Sequence, residues 1–171
     1  VPAPSPAPRG LALEELGLRP RLRGDAGLEA AWTPGEDGAL ARVEAFVDTA
    51  LGRYGEGRNR PDLPDTSRLS PHLHFGEIGP RQCLAAARAA VAERPAAQVS
   101  AEGFVRQLGW RDFAHHLLHH FPATPTAPLD ARFDAFPWEP HPTWLDAWQR
   151  GRTGYPLVDA GMRELWTTGW M

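Results

Sequence analysis

The sequence predicts an all-α fold, and three observations carry that prediction. Apolar residues recur at helical spacing in several separate stretches. Prolines stand where helices would begin, and Gly151 and Gly169 stand where C-terminal caps belong. No stretch alternates apolar and polar residues strictly enough to read as a strand.

The first helix is expected from Thr33, since Thr33-Pro34-Gly35-Glu36 offers an N-cap hydroxyl, a proline at the first helical position and a Glu three residues after the cap. Leu40, Val43, Phe46, Val47, Ala50, Leu51 and Tyr54 then form one apolar stripe, and Gly55 and Gly57 break it near Tyr54. Arg58 to Gly79 shows no sustained periodicity. A loop of that length inside a compact domain tends to be functional. Pro80 opens a second helix, the Ala-rich Arg81 to Glu93; a third runs from about Ala101 to His120, a fourth from Thr143 to Arg150 and a fifth from Pro156 to Thr168. Gly10 to Ala31 mixes weak Leu spacing with Gly and Pro and is expected to be irregular. Val1 to Arg9 alternates Pro with small residues and reads as a linker. Both ends look like cuts, with Val1 in place of Met and an aromatic next to the last residue.

Composition narrows the function classes. The 171 residues suffice for one core, and no apolar run approaches a membrane span. Cys83 is the only cysteine, so no internal disulfide forms; it is expected to fill core, and a reducing cytoplasm is the natural home. The 18 basic residues are all Arg within a net charge of −3. That balance argues against coating nucleic acid non-specifically, so any DNA contact must come from a local basic patch.

The third helix holds the most informative pattern. On a wheel of about 100° per residue, Asp112, His116, His119 and His120 gather with Gly109 on a solvated side. Gln107 and Arg111 lie roughly opposite, flanked by Phe104, Trp110, Ala114 and Leu118. A guanidinium set in an apolar face must meet a carboxylate, carbonyls or an anionic ligand. The spacing alone favours an internal ion pair, to Asp62 or Glu77, over a pocket in which Trp110 stacks on a planar ring and Arg111 reaches a phosphate. In the long loop, Thr66-Ser67-Arg68-Leu69-Ser70 puts three hydroxyls and a guanidinium within five residues. Such a run can cradle an anion, and it is also ordinary turn chemistry. His115/His119 and His116/His120 have the i, i+4 spacing of a metal pair. Neither has a suitably placed acid, so a hydrated histidine face is expected and no metal. Five of the seven Trp lie after position 137, a concentration compatible with core, stacking or redox relay roles.

These motifs, taken in order, resemble the DNA photolyase and cryptochrome family, and a bacterial cyclobutane-dimer photolyase in particular. Tyr54 and then Thr66-Ser67-Arg68-Leu69-Ser70-Pro71-His72-Leu73-His74-Phe75-Gly76 are similar to the family's flavin-phosphate loop. Gln107-Leu108-Gly109-Trp110-Arg111-Asp112-Phe113 is similar to its helix facing flavin and DNA. Phe136-Pro137-Trp138 and the run from Ala147 through Gly151-Arg152-Thr153-Gly154-Tyr155-Pro156 to Arg163 resemble further signatures. The likeness covers about Leu11 to Met171.

The resemblance implies the first part of a multihelical FAD-binding domain without its antenna α/β domain: an interdomain linker and irregular lead-in over 1–32, and a partial FAD- and DNA-binding domain over 33–171. In the family, reduced FAD donates an electron to a pyrimidine dimer after absorbing blue light, the dimer splits and the electron returns. Tyr54, Thr66, Ser67, Arg68, Leu69, Ser70 and Phe104 are the implied cofactor-binding residues. Arg58, Gln107, Trp110 and Arg111 are the implied DNA contacts, with Trp110 packing against a flipped-out dimer. Gln107 and Trp138 are the implied catalytic residues, Trp138 as the outermost member of a tryptophan chain that reduces FAD. A folate or deazaflavin antenna chromophore would belong to a domain preceding Val1. The expected partner is damaged DNA, bound by a monomer with no membrane. The fragment alone is expected not to repair DNA and to bind FAD weakly at best. Many dimer photolyases carry Glu where this chain has Gln107, and an amide can hydrogen-bond to the lesion but cannot supply a proton. Gln is familiar there in cryptochromes and six-four photolyases, so the lesion class stays open, a blue-light sensor stands beside the lyase, and a non-catalytic helical interaction module beside both.

Overall fold

The computed structural model describes residues 10–18, 20, 22 and 24–171; the proline-rich stretch from Val1 to Arg9 lies outside them. Among the described residues the regular structure is entirely helical, with no strand. Eight α-helices follow one another: α1 (Ala26–Ala31), α2 (Glu36–Thr49), α3 (Tyr54–Gly57), α4 (Ser70–His74), α5 (Pro80–Glu93), α6 (Gln98–His120), α7 (Pro142–Gln149) and α8 (Pro156–Thr168). Single 3₁₀ turns at Leu13–Leu16, Leu51–Arg53, Pro95–Ala97 and Ala131–Ala135 link or precede them. None of the helices is long and apolar enough to cross a membrane.

The chain divides into two compact units. One is Thr33–Pro140; the other joins the described residues up to Trp32 with His141–Met171.

In the Thr33–Pro140 unit the core is built where α2, α5 and α6 turn their apolar faces together. Ala39, Val43 and Phe46 on α2, Cys83, Ala87 and Ala90 on α5, and Ala101, Phe104 and Leu108 on α6 are all buried. Each set recurs at three- and four-residue steps, which is what keeps one helix face inward. The small residues of α5 let backbones approach closely, so the larger rings sit elsewhere. Phe46, Tyr54 and Phe104 form a three-ring cluster, with centroids 4.8 Å apart for Phe46–Phe104 and 5.7 Å for each of the other two pairs. Cys83 is fully buried in the same core, and burial pushes its thiol above the usual range, as befits an inert sulfur.

Two boundaries of the first long helix differ from the sequence reading. It begins at Glu36 rather than at Pro34, because Gly35 adopts φ 99° and turns the chain there. Only glycine takes that conformation cheaply, and Glu36 and Asp37 then meet the positive end of the helix dipole. The same helix stops at Thr49 and not near Tyr54. Arg94 donates to the carbonyls of Val47 and Asp48 at 2.7 and 3.0 Å, capping its C-terminus. Gly10 to Ala31 is less irregular than expected, since six of its residues form α1. A helix that short shows too few repeats to be read as periodic.

The second unit is held by long side chains reaching backbone carbonyls. Trp32 Nε1 donates to Thr168 O at 2.6 Å, Trp166 Nε1 to Gln149 O at 2.6 Å, and Arg163 to Gly151 O at 2.8 Å. Asp159, near the start of α8, accepts from Thr153 N and Oγ1, both at 2.7 Å, and from Gly154 N at 3.0 Å. Those bonds, led by the Thr153 hydroxyl, hold its carboxyl below the usual range.

Candidate flavin and DNA site

The site is assembled on the Thr33–Pro140 unit, from the connection between α3 and α5 and the inward half of α6. The connection is not structureless: α4 interrupts it, and buried side chains anchor it on both sides of the hydroxyl run. Upstream, Asp65 is buried and takes a two-pronged ion pair from Arg53, Nη2–Oδ1 2.7 Å and Nε–Oδ2 3.3 Å. Gly57 makes room for it, since a Cβ there would lie 2.4 Å from the Asp65 Cβ. Downstream, Leu69 is 1% exposed and packs in the core, and His72 is 2% exposed.

Between these anchors Thr66, Ser67 and Arg68 are half-buried or deeper and Ser70 closes the run at the start of α4. The side chains of Thr66, Ser67 and Ser70 find no hydrogen-bond partner among the described residues. Arg68 has φ 50°, the one positive value outside glycine among them. A residue held in the left-handed region is often part of a binding site. The residues fit a phosphate: three available hydroxyls, one cation, and a neighbouring carboxylate, Asp65, already neutralised by Arg53. Such a set could hold a phosphate group.

Tyr54 opens α3 with its ring in the aromatic cluster and its phenol raised by burial, an effect partly offset by Arg58. The Arg58 guanidinium stands 5.6 Å from the centre of that ring, within cation–π range, and is exposed. Phe104 completes the cluster from α6, so its ring and that of Tyr54 are core contacts, in the same buried cluster as Leu69 of the loop.

On α6 the expected solvated side is exposed, from Gly109 through His116 to His119 and His120. The opposite side is buried only as far as Leu108. Beyond it Arg111 is half-buried, as is Gln107 one turn before, while Trp110, Phe113 and Leu118 are exposed, Trp110 by 58%. Arg111 makes neither of the ion pairs favoured by spacing. Asp62 is taken by Arg60 at 2.6 Å and Glu77 by His72 at 2.6 Å, so Arg111 Nη2 donates to the Leu73 carbonyl at 3.1 Å. That bond ties α6 to α4, three residues beyond the hydroxyl run. Gln107 has no hydrogen-bond partner among the described residues. Trp110 meets Phe113 edge to face at 5.8 Å.

The histidines on α6 contact one another, His116 and His120 at 4.3 Å between ring centres. Among the described residues no group of three or more His, Cys, Asp or Glu is disposed to hold a metal ion. Trp138 follows the 3₁₀ turn Ala131–Ala135, is 79% exposed and lies 4.6 Å from the Phe136 ring.

Sequence reasoning passed over the pairs Arg53–Asp65 and His72–Glu77. An interval of 12 residues across irregular chain leaves no periodic signal for the first. The only trace of the second was a histidine inside a five-residue helix.

The class of protein defined is a helical domain, strandless among the described residues, with a hydroxyl-lined loop tied to α6. Residues 104–171 match the family model described as the FAD binding domain of DNA photolyase. A deoxyribodipyrimidine photo-lyase of Thermus thermophilus is 47% identical over the whole chain and 39% of its own length. One from Agrobacterium fabrum is 46% identical over 82% of the chain and 29% of its own length. Cryptochrome-2 of Arabidopsis thaliana is 39% identical over 94% of the chain and 27% of its own length. Among solved structures, a bacterial class III photolyase from Agrobacterium tumefaciens aligns with TM-score 0.92 and 41% identity, covering 99% of this chain and 35% of the other. The chain belongs to the DNA photolyase and cryptochrome family and corresponds to part of its helical FAD-binding domain. It spans between about a quarter and two fifths of the length of these curated relatives.

Proposed function

We propose that the chain is the phosphate-holding and DNA-facing part of a deoxyribodipyrimidine photo-lyase, which splits pyrimidine dimers in DNA under blue light. The observation that supports this best is the Arg111–Leu73 hydrogen bond, because it fixes the Trp110 face of α6 beside the Thr66–Ser70 loop within one unit. A cofactor held by the loop and a lesion held by the helix then share one site.

Each residue has a task that its chemistry suits. Thr66, Ser67, Arg68 and Ser70 bind the pyrophosphate through hydroxyls and a guanidinium, and Leu69 anchors the loop from the core. Reduced FAD, when bound, supplies the electron that its absorption of blue light makes available. Trp110 offers a bare indole face to an unstacked base, a contact of about 1–3 kcal/mol. Gln107 places an amide where it can donate to a base carbonyl or accept from a ring N–H. Arg58 and Arg111 supply positive charge for the DNA backbone, Arg58 from an exposed position at the end of α3. Trp138, at the surface beside Phe136, is suited to pass electrons inward from an external donor.

A second reading, a blue-light sensor using the same pocket, is favoured by Gln107, which cannot deliver a proton to a lesion, and by the similarity to a plant cryptochrome. The test is repair of a dimer-containing oligonucleotide under blue light by the protein expressed from its own reading frame, with Gln107→Glu in parallel. Restoration of thymine absorbance, faster in the Glu variant, supports the lyase. Flavin photoreduction with no repair in either protein supports the sensor.

A further inference from the structure

The pair of buried His72 and partly buried Glu77 has no part in the site as assigned, yet His72 follows the phosphate loop directly along α4. His72 Nδ1 and Glu77 Oε2 are 2.6 Å apart, and Glu77 N–H donates to the His72 carbonyl at 2.9 Å, so the pair closes on itself through side chain and backbone. His72 itself lines a cleft with Thr33, Gly38, Ala41 and Ala45 on the α2 side. The Gly35 backbone amide, and then His72, hold the Glu77 carboxyl below the usual range. Asp37 and Arg42 of α2 are the other charged groups near His72, lining the same cleft along α2.

The loop needs such support. Arg68 is held at φ 50°, and a strained residue persists only where its surroundings over-determine it. Asp65 fixes the upstream side through Arg53. On the downstream side Leu69 contributes only apolar packing, which is non-directional. The directional contacts there are the His72–Glu77 pair, four residues from Arg68, and the Arg111 bond to the Leu73 carbonyl, which the His72 substitutions leave in place.

We propose that His72 is a positioning residue: paired with Glu77 and seated against α2, it latches α4 in place and thereby holds Thr66–Ser70 in the shape that binds a dinucleotide pyrophosphate. The proposal rests on the reading of that loop as the flavin-phosphate site. It assigns no contact between His72 and the cofactor.

The test compares His72→Ala, His72→Asn and Glu77→Gln with the wild type, and Ser67→Ala as a probe of the loop itself, each in the protein expressed from its complete reading frame. Hydrogen exchange is followed by mass spectrometry for residues 62–75 and for α5, and FAD affinity by equilibrium dialysis. Losing one hydrogen bond to a charged group predicts roughly ten-fold faster exchange over 62–75 in His72→Ala, with α5 unchanged. FAD affinity should fall by a similar factor. Asn puts an amide donor near the place of Nδ1, so His72→Asn should recover most of both effects. Should His72→Ala fail to fold, the milder Glu77→Gln carries the same comparison. Exchange that rises equally in α5 and the loop, or in neither, overturns the latch. Loop exchange that rises while FAD affinity responds to Ser67→Ala but not to His72→Ala overturns the positioning role. FAD affinity indifferent to both sites, or absent, overturns the flavin reading of the loop and the role of His72 with it.

Discussion

Replacing Phe104 tests whether the ring cluster beneath the site is as tightly packed as its geometry indicates. The ring is 3% exposed and lies 4.8 Å from Phe46 and 5.7 Å from Tyr54. Leucine keeps most of the apolar surface but loses two aromatic pairs, each about 0.5–1.5 kcal/mol, for a loss of about 1–3 kcal/mol. Alanine leaves a cavity as well, and the expected loss rises to about 3–5 kcal/mol. With a urea dependence of roughly 2 kcal/mol per molar, the midpoint of the transition reporting on Thr33–Pro140 falls by about 1 M for Phe104→Leu and about 2 M for Phe104→Ala. Circular dichroism against urea reads this directly, provided the slopes match the wild type. Midpoints within a few tenths of a molar of wild type for both variants would refute the packing argument, since they would mean that the cluster tolerates a void.

Three further outcomes follow from particular contacts. Gly57→Ala must displace Asp65 and strain the Arg53 pair; overpacking of this kind costs about 1–3 kcal/mol, seen as a thermal midpoint lower by several degrees, and an unchanged midpoint would count against the Asp65 anchor. Asp159 has a depressed carboxyl, so the stability it contributes is present above the ordinary carboxylate range and is lost as pH falls through its lowered value. Thermal melts of wild type and Asp159→Asn should therefore differ at neutral pH and converge on acidification, and parallel curves would remove the linkage. Trp110→Ala should weaken binding to dimer-containing DNA about ten-fold or more with little change in stability, because the ring is mostly exposed; a large drop in melting temperature instead would make Trp110 a packing residue.

How much was legible in the sequence differs from helix to helix. The helix from Pro156 to Thr168 was readable to the residue, because Pro at its start and Gly169 in the left-handed region at its end are both local signals. The start of α2 was misjudged, since a Thr-Pro-Gly-Glu run contains two valid starts, and the backbone of Gly35 decided between them. Arg111 was recognised as needing a partner, but a backbone carbonyl has no sequence signature, so Leu73 could not be named. The wheel placed Gln107 and Arg111 on a face apart from His116, His119 and His120, as found. It could not show that burial stops at Leu108, because periodicity reports which face is apolar, not how far a neighbour extends along it. The His72–Glu77 pair was hidden for a related reason: its members are joined by a turn with no period to read.

The claim at the centre of this account is that Thr66, Ser67, Arg68 and Ser70 hold the phosphates of FAD. It is tested most directly by purifying the protein from its complete reading frame, with and without Ser67→Ala and Arg68→Ala together, and recording the visible absorption spectrum of each. The account predicts flavin bands in the wild type, and their loss or strong reduction in a variant whose circular dichroism remains helical. Equal flavin content in the two proteins would contradict it.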